Sequence, residues 1–181
     1  MNKEGKEGSF KLIFIIMIVS LAIASLWNNF SIIKETAHLA LDPSVGILLE
    51  WDLTIGMLII IFIIALVIVL FQKYTTDQET LRELKKEQKL LQEEMKKYKS
   101  HPEKLLEIQK KQLEIIPKTM QLTMRPLIFT SIPLILFFRW FHDFFNAAGN
   151  PKFFGFLHWL WFYIIASIIF NSLLRKILKV V

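Results

Sequence analysis

Hydrophobic positions along the chain gather into four long runs, with one densely charged stretch between the second and the third. The clearest run is Trp51 to Phe71, WDLTIGMLIIIFIIALVIVLF, which carries no charge after Asp52. A hydrocarbon layer of ~30 Å takes about 20 apolar residues as helix, so this run predicts a membrane span. Leu12 to Trp27 is shorter and follows Lys3, Lys6 and Lys11, the pattern of a signal anchor. Ala22-Ile23-Ala24 leaves a cleaved signal peptide as the alternative. Leu127 to about Phe145, interrupted by Pro133, and Phe153 to Leu174 predict two further spans. The stretch NAAGNP between them predicts a short turn and a tight antiparallel pair.

The charged stretch, Lys73 to Thr119, holds 12 Lys or Arg and 9 Asp or Glu. Leu81, Leu84, Leu91, Met95 and Tyr98 recur at helical spacing and form one apolar stripe on a charged helix. Ser100-His101-Pro102-Glu103 then has the form of a capping box, with Ser100 as the cap of a second helix. In that helix Leu105, Ile108, Gln112 or Leu113, and Ile115 or Ile116 continue a stripe that faces the first. An antiparallel helical hairpin, a short intramolecular coiled coil, is expected, with a single solvated charged helix kinked at Pro102 as the alternative.

Composition narrows the class. The chain is 54% hydrophobic, has a mean hydropathy of +0.44, and contains no cysteine. Disulfides and thiolate metal sites are excluded, and His38, His101, His142 and His158 lack metal-binding spacing. No cofactor, metal or enzyme signature is present, so catalysis is not expected. The net charge of +6 raises the question of nucleic acid, but the cations are grouped beside apolar runs instead of interleaved with aromatics, so DNA is not a partner.

Cation placement sets the topology. With the hairpin in the cytoplasm, that side collects Lys3, Lys6 and Lys11, the hairpin's cations with Arg125, and Arg175, Lys176 and Lys179, which is 19 of the 22. Lys34 and Lys152 stay outside with Glu35, Asp42, Glu50 and Asp52. The expected organisation is therefore an anchor at 1–27, an extracytoplasmic segment at 28–50, a first core span at 51–72, the hairpin at 73–119, a second core span at 120–145, an outer turn at 146–152, and a third core span with a basic tail at 153–181.

Several polar residues lie inside these spans. Arg139 is 13 residues beyond Pro126, or ~20 Å deep at 1.5 Å per residue. Asp143 at i+4 and His142 at i+3 share its helix face, which predicts an intrahelical ion pair. Snorkelling of Arg139 to the outer headgroups is the alternative. Tyr163, Ser167 and Asn171 make a polar stripe on the last span, with Thr130 and Ser131 at matching depth. Together they suggest a partly hydrated groove closed outside and open inside, or else interhelical hydrogen bonds alone. Met120 and Met124 join the hairpin to the second core span and offer an adaptable apolar surface for varied partners.

These features, with the stretches TMQLTMRPLIF and WLWFYIIASIIFNSLLRKIL, resemble the archaeal YidC-like proteins of the Oxa/YidC/Get insertase superfamily. The organisation is also similar to the insertase-type subunit of the eukaryotic ER membrane protein complex and the coiled-coil subunit of the Get receptor. The resemblance covers about Trp51 to Val181. It implies an all-α membrane protein with a three-span insertase core and a cytosolic hairpin, working in the cell membrane without ATP. The implied partners are nascent membrane proteins, ribosome–nascent chain complexes, the Sec translocon and the lipid bilayer. Arg139, Thr130, Ser131, Tyr163, Ser167, Asn171, Met120 and Met124 would bind clients, while Arg82, Lys85, Lys86, Lys96, Lys97 and Lys99 would capture ribosome or client. Bacterial members carry a groove arginine on the first core span, and Trp51 to Phe71 has none. A membrane-anchored coiled-coil scaffold, or a subunit of a channel or transport complex, is the rival function.

Overall fold

The computed structural model describes residues 3–27, 29–99 and 101–181, with side chains from Phe14 onward apart from 125–129. The chain is an all-α membrane protein. Its helices are α1 (Lys3–Leu26), α2 (Ser31–Leu41), α3 (Ile47–Trp51), α4 (Leu53–Thr75), α5 (Gln78–Lys97), α6 (Pro102–Ala147) and α7 (Trp159–Leu178). One π-helical turn, Asp42–Gly46, joins α2 to α3.

Polar residues set the boundaries of the apolar helices. Asp52 caps α4, its Oδ1 accepting from the Ile55 amide at 2.7 Å, so the helix begins two residues later than the apolar run itself. Thr76 and Asp77 break the chain between α4 and α5. Asp77 Oδ1 accepts from the Glu79 and Thr80 amides at 3.1 Å each, which starts α5 at once. Leu84 and Leu91 of α5 then bury against Ile108 and Ile115 of α6, with Met95, Tyr98 and Leu122 packed around them. The antiparallel arm is thus built from the expected stripe. Its second helix is capped by His101 without a side-chain hydrogen bond, and Pro102 is its first residue. The capping box falls on Ser100, outside the described residues.

The expected boundary between arm and span at residue 120 does not interrupt the helix. α6 runs for 46 residues, ~69 Å at 1.5 Å per residue, so one continuous helix joins the arm to the bundle. The turn that follows also differs from expectation. Phe153 and Leu157 exchange backbone hydrogen bonds at 2.8 and 2.9 Å, and Phe154 and Gly155 take positive φ angles of 52° and 82°. That small loop keeps 153–157 out of the helix, and α7 starts only at Trp159, after His158 as its cap.

Packing corrects the pairing of the last two spans. The close backbone neighbours are α4 with α7 and α1 with α6, not α6 with α7. Between α6 and α7 stands a layer of rings: Phe138 meets Tyr163 edge-on at 4.8 Å, and Phe145 stacks on Trp159 at 5.6 Å. Rings this large hold the two backbones apart, which a short turn alone does not reveal.

Among the described residues, α4 and α7 are long and apolar enough to cross a bilayer. Phe14–Leu26 and Ser31–Trp51 qualify together as a pair bent by 90°. The remaining expected span is the apolar half of α6, which includes 125–129 and so lies partly outside the described side chains.

Candidate functional site

α6 passes between α2 and α4 at the level of Pro133 and Phe137, and a cleft opens on each side. Toward α4 a cavity of about 350 Å³ is lined by Ile63, Ile64, Val67, Ile68 and Phe71, with Thr130, Pro133, Leu134 and Phe137 opposite. Toward α2 a cavity of about 480 Å³ is lined by Ile32, Ile33, Thr36, Ala37, Ala40 and Leu41, with Pro133, Leu136 and Phe137 opposite. Both walls are apolar. Thr36 donates to its own helix at Ile32 O, 2.7 Å, and presents no free donor. Such clefts accept aliphatic or aromatic side chains by shape and burial, with little polar selection.

Beyond the clefts, toward the turn before α7, lies a polar cluster centred on two carboxylates. Asp143 Oδ2 accepts from Trp27 Nε1 at 2.9 Å and lies 3.0 Å from Lys34 Nζ and 3.6 Å from His38 Nε2. Asp42 Oδ1 accepts from Trp140 Nε1 at 2.7 Å and lies 3.1 Å from His38 Nδ1. Both indoles are fully buried. Each therefore depends on its carboxylate for a hydrogen bond, and the pair fastens α1 and α2 to the end of α6.

This cluster changes the reading of Arg139. Asp143 pairs at 3.0 Å with Lys34, across to α2, instead of along the helix with Arg139. The Arg139 guanidinium stands 5.8 Å from the centroid of the Trp27 ring, within cation–π range. Arg139 belongs to the cluster. It is nine residues, or ~14 Å, along α6 from Thr130, and is not among the residues that line the α4-side cleft.

The other expected groove residues scatter. Thr130 lines the α4-side cleft. Ser131, Met124, Ser167 and Asn171 are half-buried and Met120 is exposed. Asn171 turns back to donate to Ser167 O at 2.8 Å on its own helix. Tyr163 is buried against Phe138 and Phe141, a core ring and not a groove wall. The two clefts described are apolar where a polar groove was expected. α7 turns its stripe Phe162, Tyr163 and Ala166 into the core, and the α6 rings fill the space in front of Tyr163.

The expected capture residues Arg82, Lys85, Lys86, Lys96, Lys97 and Lys99 are all exposed along the arm. Arg82 is engaged at its base, donating to Lys179 O at 2.7 Å, and the charge of Arg175 acts on Lys85. Trp27, Lys34, His38 and Asp42 went unassigned from sequence. Their signal was weak: an aromatic ending an apolar run, then His38 and Asp42 at i and i+4 on the segment expected to be extracytoplasmic.

A multi-pass membrane protein with a helical arm and clefts between its helices is the class this architecture defines. The chain belongs to the EMC3/TMCO1-like integral membrane proteins, whose family model matches residues 38–154. That family lies within the Oxa1/YidC/Get1 insertase superfamily and is linked to membrane protein insertion. The match starts earlier than the resemblance traced from sequence and ends before α7. No curated protein and no solved structure matches the chain.

Proposed function

We propose that this protein is an insertase of the YidC-like branch found in archaea, which eases nascent transmembrane segments into the cell membrane without ATP. The observation that carries the reading is the apolar cleft between α4 and α6, walled by Val67, Phe71, Pro133 and Phe137, on the same helix that forms the arm. A client's apolar segment docks in the cleft while its polar flank passes beside it. That flank meets a layer where an isolated charge costs at least ~2.5–3.5 kcal/mol on insertion scales. The part of α6 between the arm and Arg139 is short for a span, and a short helix thins the lipid around it, lowering that barrier. No covalent step is involved. The arm lies in the cytoplasm, where exposed Lys86, Lys96, Lys97 and Lys99 meet ribosome-bound chains, with the Sec translocon as a further partner.

Site-specific photocrosslinking tests this. A photoreactive residue at Val67 or Phe137 is expected to capture ribosome-bound nascent membrane proteins, and Thr130→Trp, which fills the cleft, to lower that capture at Val67 several-fold. Capture confined to the arm, with the cleft silent, would falsify the insertase reading. That outcome favours the second reading, a membrane-anchored scaffold, for which Leu90, Leu106 and Leu113 speak: they lie 61%, 58% and 65% exposed on the arm.

Topology is tested separately. An impermeant amine reagent is expected to label Lys89 and Lys110, both exposed on the arm, only from the cytoplasmic side, and Lys152 only from the opposite side. Labelling of the arm from outside overturns the orientation.

A further inference from the structure

The foot of the bundle, where α5 leaves α4 and the chain turns back after α7, holds a group of cations with no acidic partner among the described residues. Gln72 is almost fully buried and its Oε1 accepts from Arg175 Nη2 at 2.8 Å. Gln78 donates to Gln72 O at 3.0 Å, and its Oε1 accepts from the Val181 amide at 3.0 Å. Lys179 takes a left-handed conformation, φ 54°, which turns Val180 into a small apolar cluster with Ala65, Val69 and Leu174. The same turn directs Lys179 O to Arg82. These contacts bring the start of α5 to the end of α7 and fix the Arg175 guanidinium there, where its charge acts on Lys85 one turn beyond Arg82. Its Nη2 is occupied and its Nε is buried, so Nη1 is the face left open.

Among the described residues, no carboxylate lies within 4.0 Å of Arg82, Lys85, Arg175, Lys176 or Lys179. Partial burial, and then the neighbouring Arg175, hold the Lys85 ammonium below its ordinary value. Two cations placed side by side without an anion repel each other unless something negative lies between them.

We propose that Arg175 Nη1 and Lys85 seat the phosphate of an anionic phospholipid headgroup, with Arg82 beside them, and that this lipid braces the base of the arm against the end of α7. Depth selects the source. α4 is uncharged from Leu53 to Gln72 and α7 from Trp159 to Leu174, so Gln72 and Arg175 mark the level where hydrocarbon gives way to headgroups. A phospholipid phosphate is already at that level. Ribosomal RNA would meet the exposed lysines farther out on the arm first. The seat requires only that α4 and α7 span the bilayer and is independent of what the cleft binds.

The test is native mass spectrometry of the full chain in neutral detergent, supplied with phosphatidylglycerol or phosphatidylcholine. One phosphatidylglycerol is expected to be retained over phosphatidylcholine. Near a membrane surface each cation contributes about a five-fold factor in binding, so Lys85→Gln is expected to lower retention about five-fold and Lys96→Gln to leave it unchanged. Among the described residues Lys85 has no hydrogen-bond partner, so its replacement leaves the fold intact. Equal retention of the two lipids overturns the proposal, as does equal loss in the two variants. Displacement by inorganic phosphate at equal concentration shows a seat for free phosphate and overturns the lipid assignment. An RNA hairpin whose binding falls with Lys85→Gln but not with Lys96→Gln assigns the cations to RNA and does the same.

Discussion

Gly56→Ala is expected to lower the stability of the purified protein by about 2–3 kcal/mol, read as a fall in the SDS fraction needed to unfold it. A Cβ built at Gly56 would lie 2.1 Å from Leu48 O, 2.5 Å from Leu48 C and 3.0 Å from Leu49 N. All three are backbone atoms of α3, so no side-chain rotation relieves the overlap. α3 must move away from α4, and it carries Leu49, 3% exposed, out of the core where Trp27, Trp140 and Phe145 pack. Gly46→Ala is the control. Its Cβ would meet nothing closer than 3.8 Å, so a change within about 0.5 kcal/mol is expected. Equal tolerance of the two alanines would show that α3 does not lie this close to α4.

Hydrophobic periodicity carried most of the architecture because it reports which face of a helix is buried. α4 and the arm stripe of Leu84, Leu91, Ile108 and Ile115 follow directly from it. Periodicity does not report which buried faces meet. The turn at NAAGNP suggested α6 against α7, yet the Phe138–Tyr163 and Phe145–Trp159 contacts keep those backbones apart while α1 lies along α6. The start of α7 was misplaced for a related reason. Phe153 and Phe154 look like span residues by hydropathy, while the positive φ at Phe154 depends on the bridge between Phe153 and Leu157.

Candidate site residues were less legible still. Polarity within a span marks a residue as unusual, but the partner decides whether it lines a groove. Tyr163 satisfies its ring in the core, and Asn171 satisfies its amide on its own helix. The cleft walls, Val67, Phe71 and Phe137, are ordinary apolar residues that no motif distinguishes. Asp143 was paired with Arg139 because the i, i+4 spacing is visible in one segment. Lys34 and Trp27 are more than a hundred residues away, and only the bend between α1 and α2 brings them to it.

That remote set gives the second large effect. Asp143→Leu is expected to destabilise the protein by about 2–4 kcal/mol, whereas Asp143→Asn is expected to lose only about 1 kcal/mol. The Asp143 side chain is 17% exposed and serves Trp27 Nε1, Lys34 Nζ and His38 together. Leucine strands the Trp27 N–H, which is fully buried and has no water to turn to, and it leaves Lys34 without its anion. Asparagine keeps an oxygen for the indole and removes only the charge, and Lys34, 43% exposed, can reach solvent. Its ion pair is therefore worth little in net terms. The double variants decide which neighbour Asp143 serves. Trp27→Phe removes the donor as well, so Trp27→Phe with Asp143→Leu is expected to lose clearly less than the sum of the two single changes, with a coupling of about 1–2 kcal/mol. Arg139→Leu with Asp143→Leu is expected to couple more weakly, since Asp143 takes its ion pair from Lys34. Stronger coupling to Arg139 than to Trp27 would return Asp143 to an intrahelical pair and free α1 from its role in holding the end of α6.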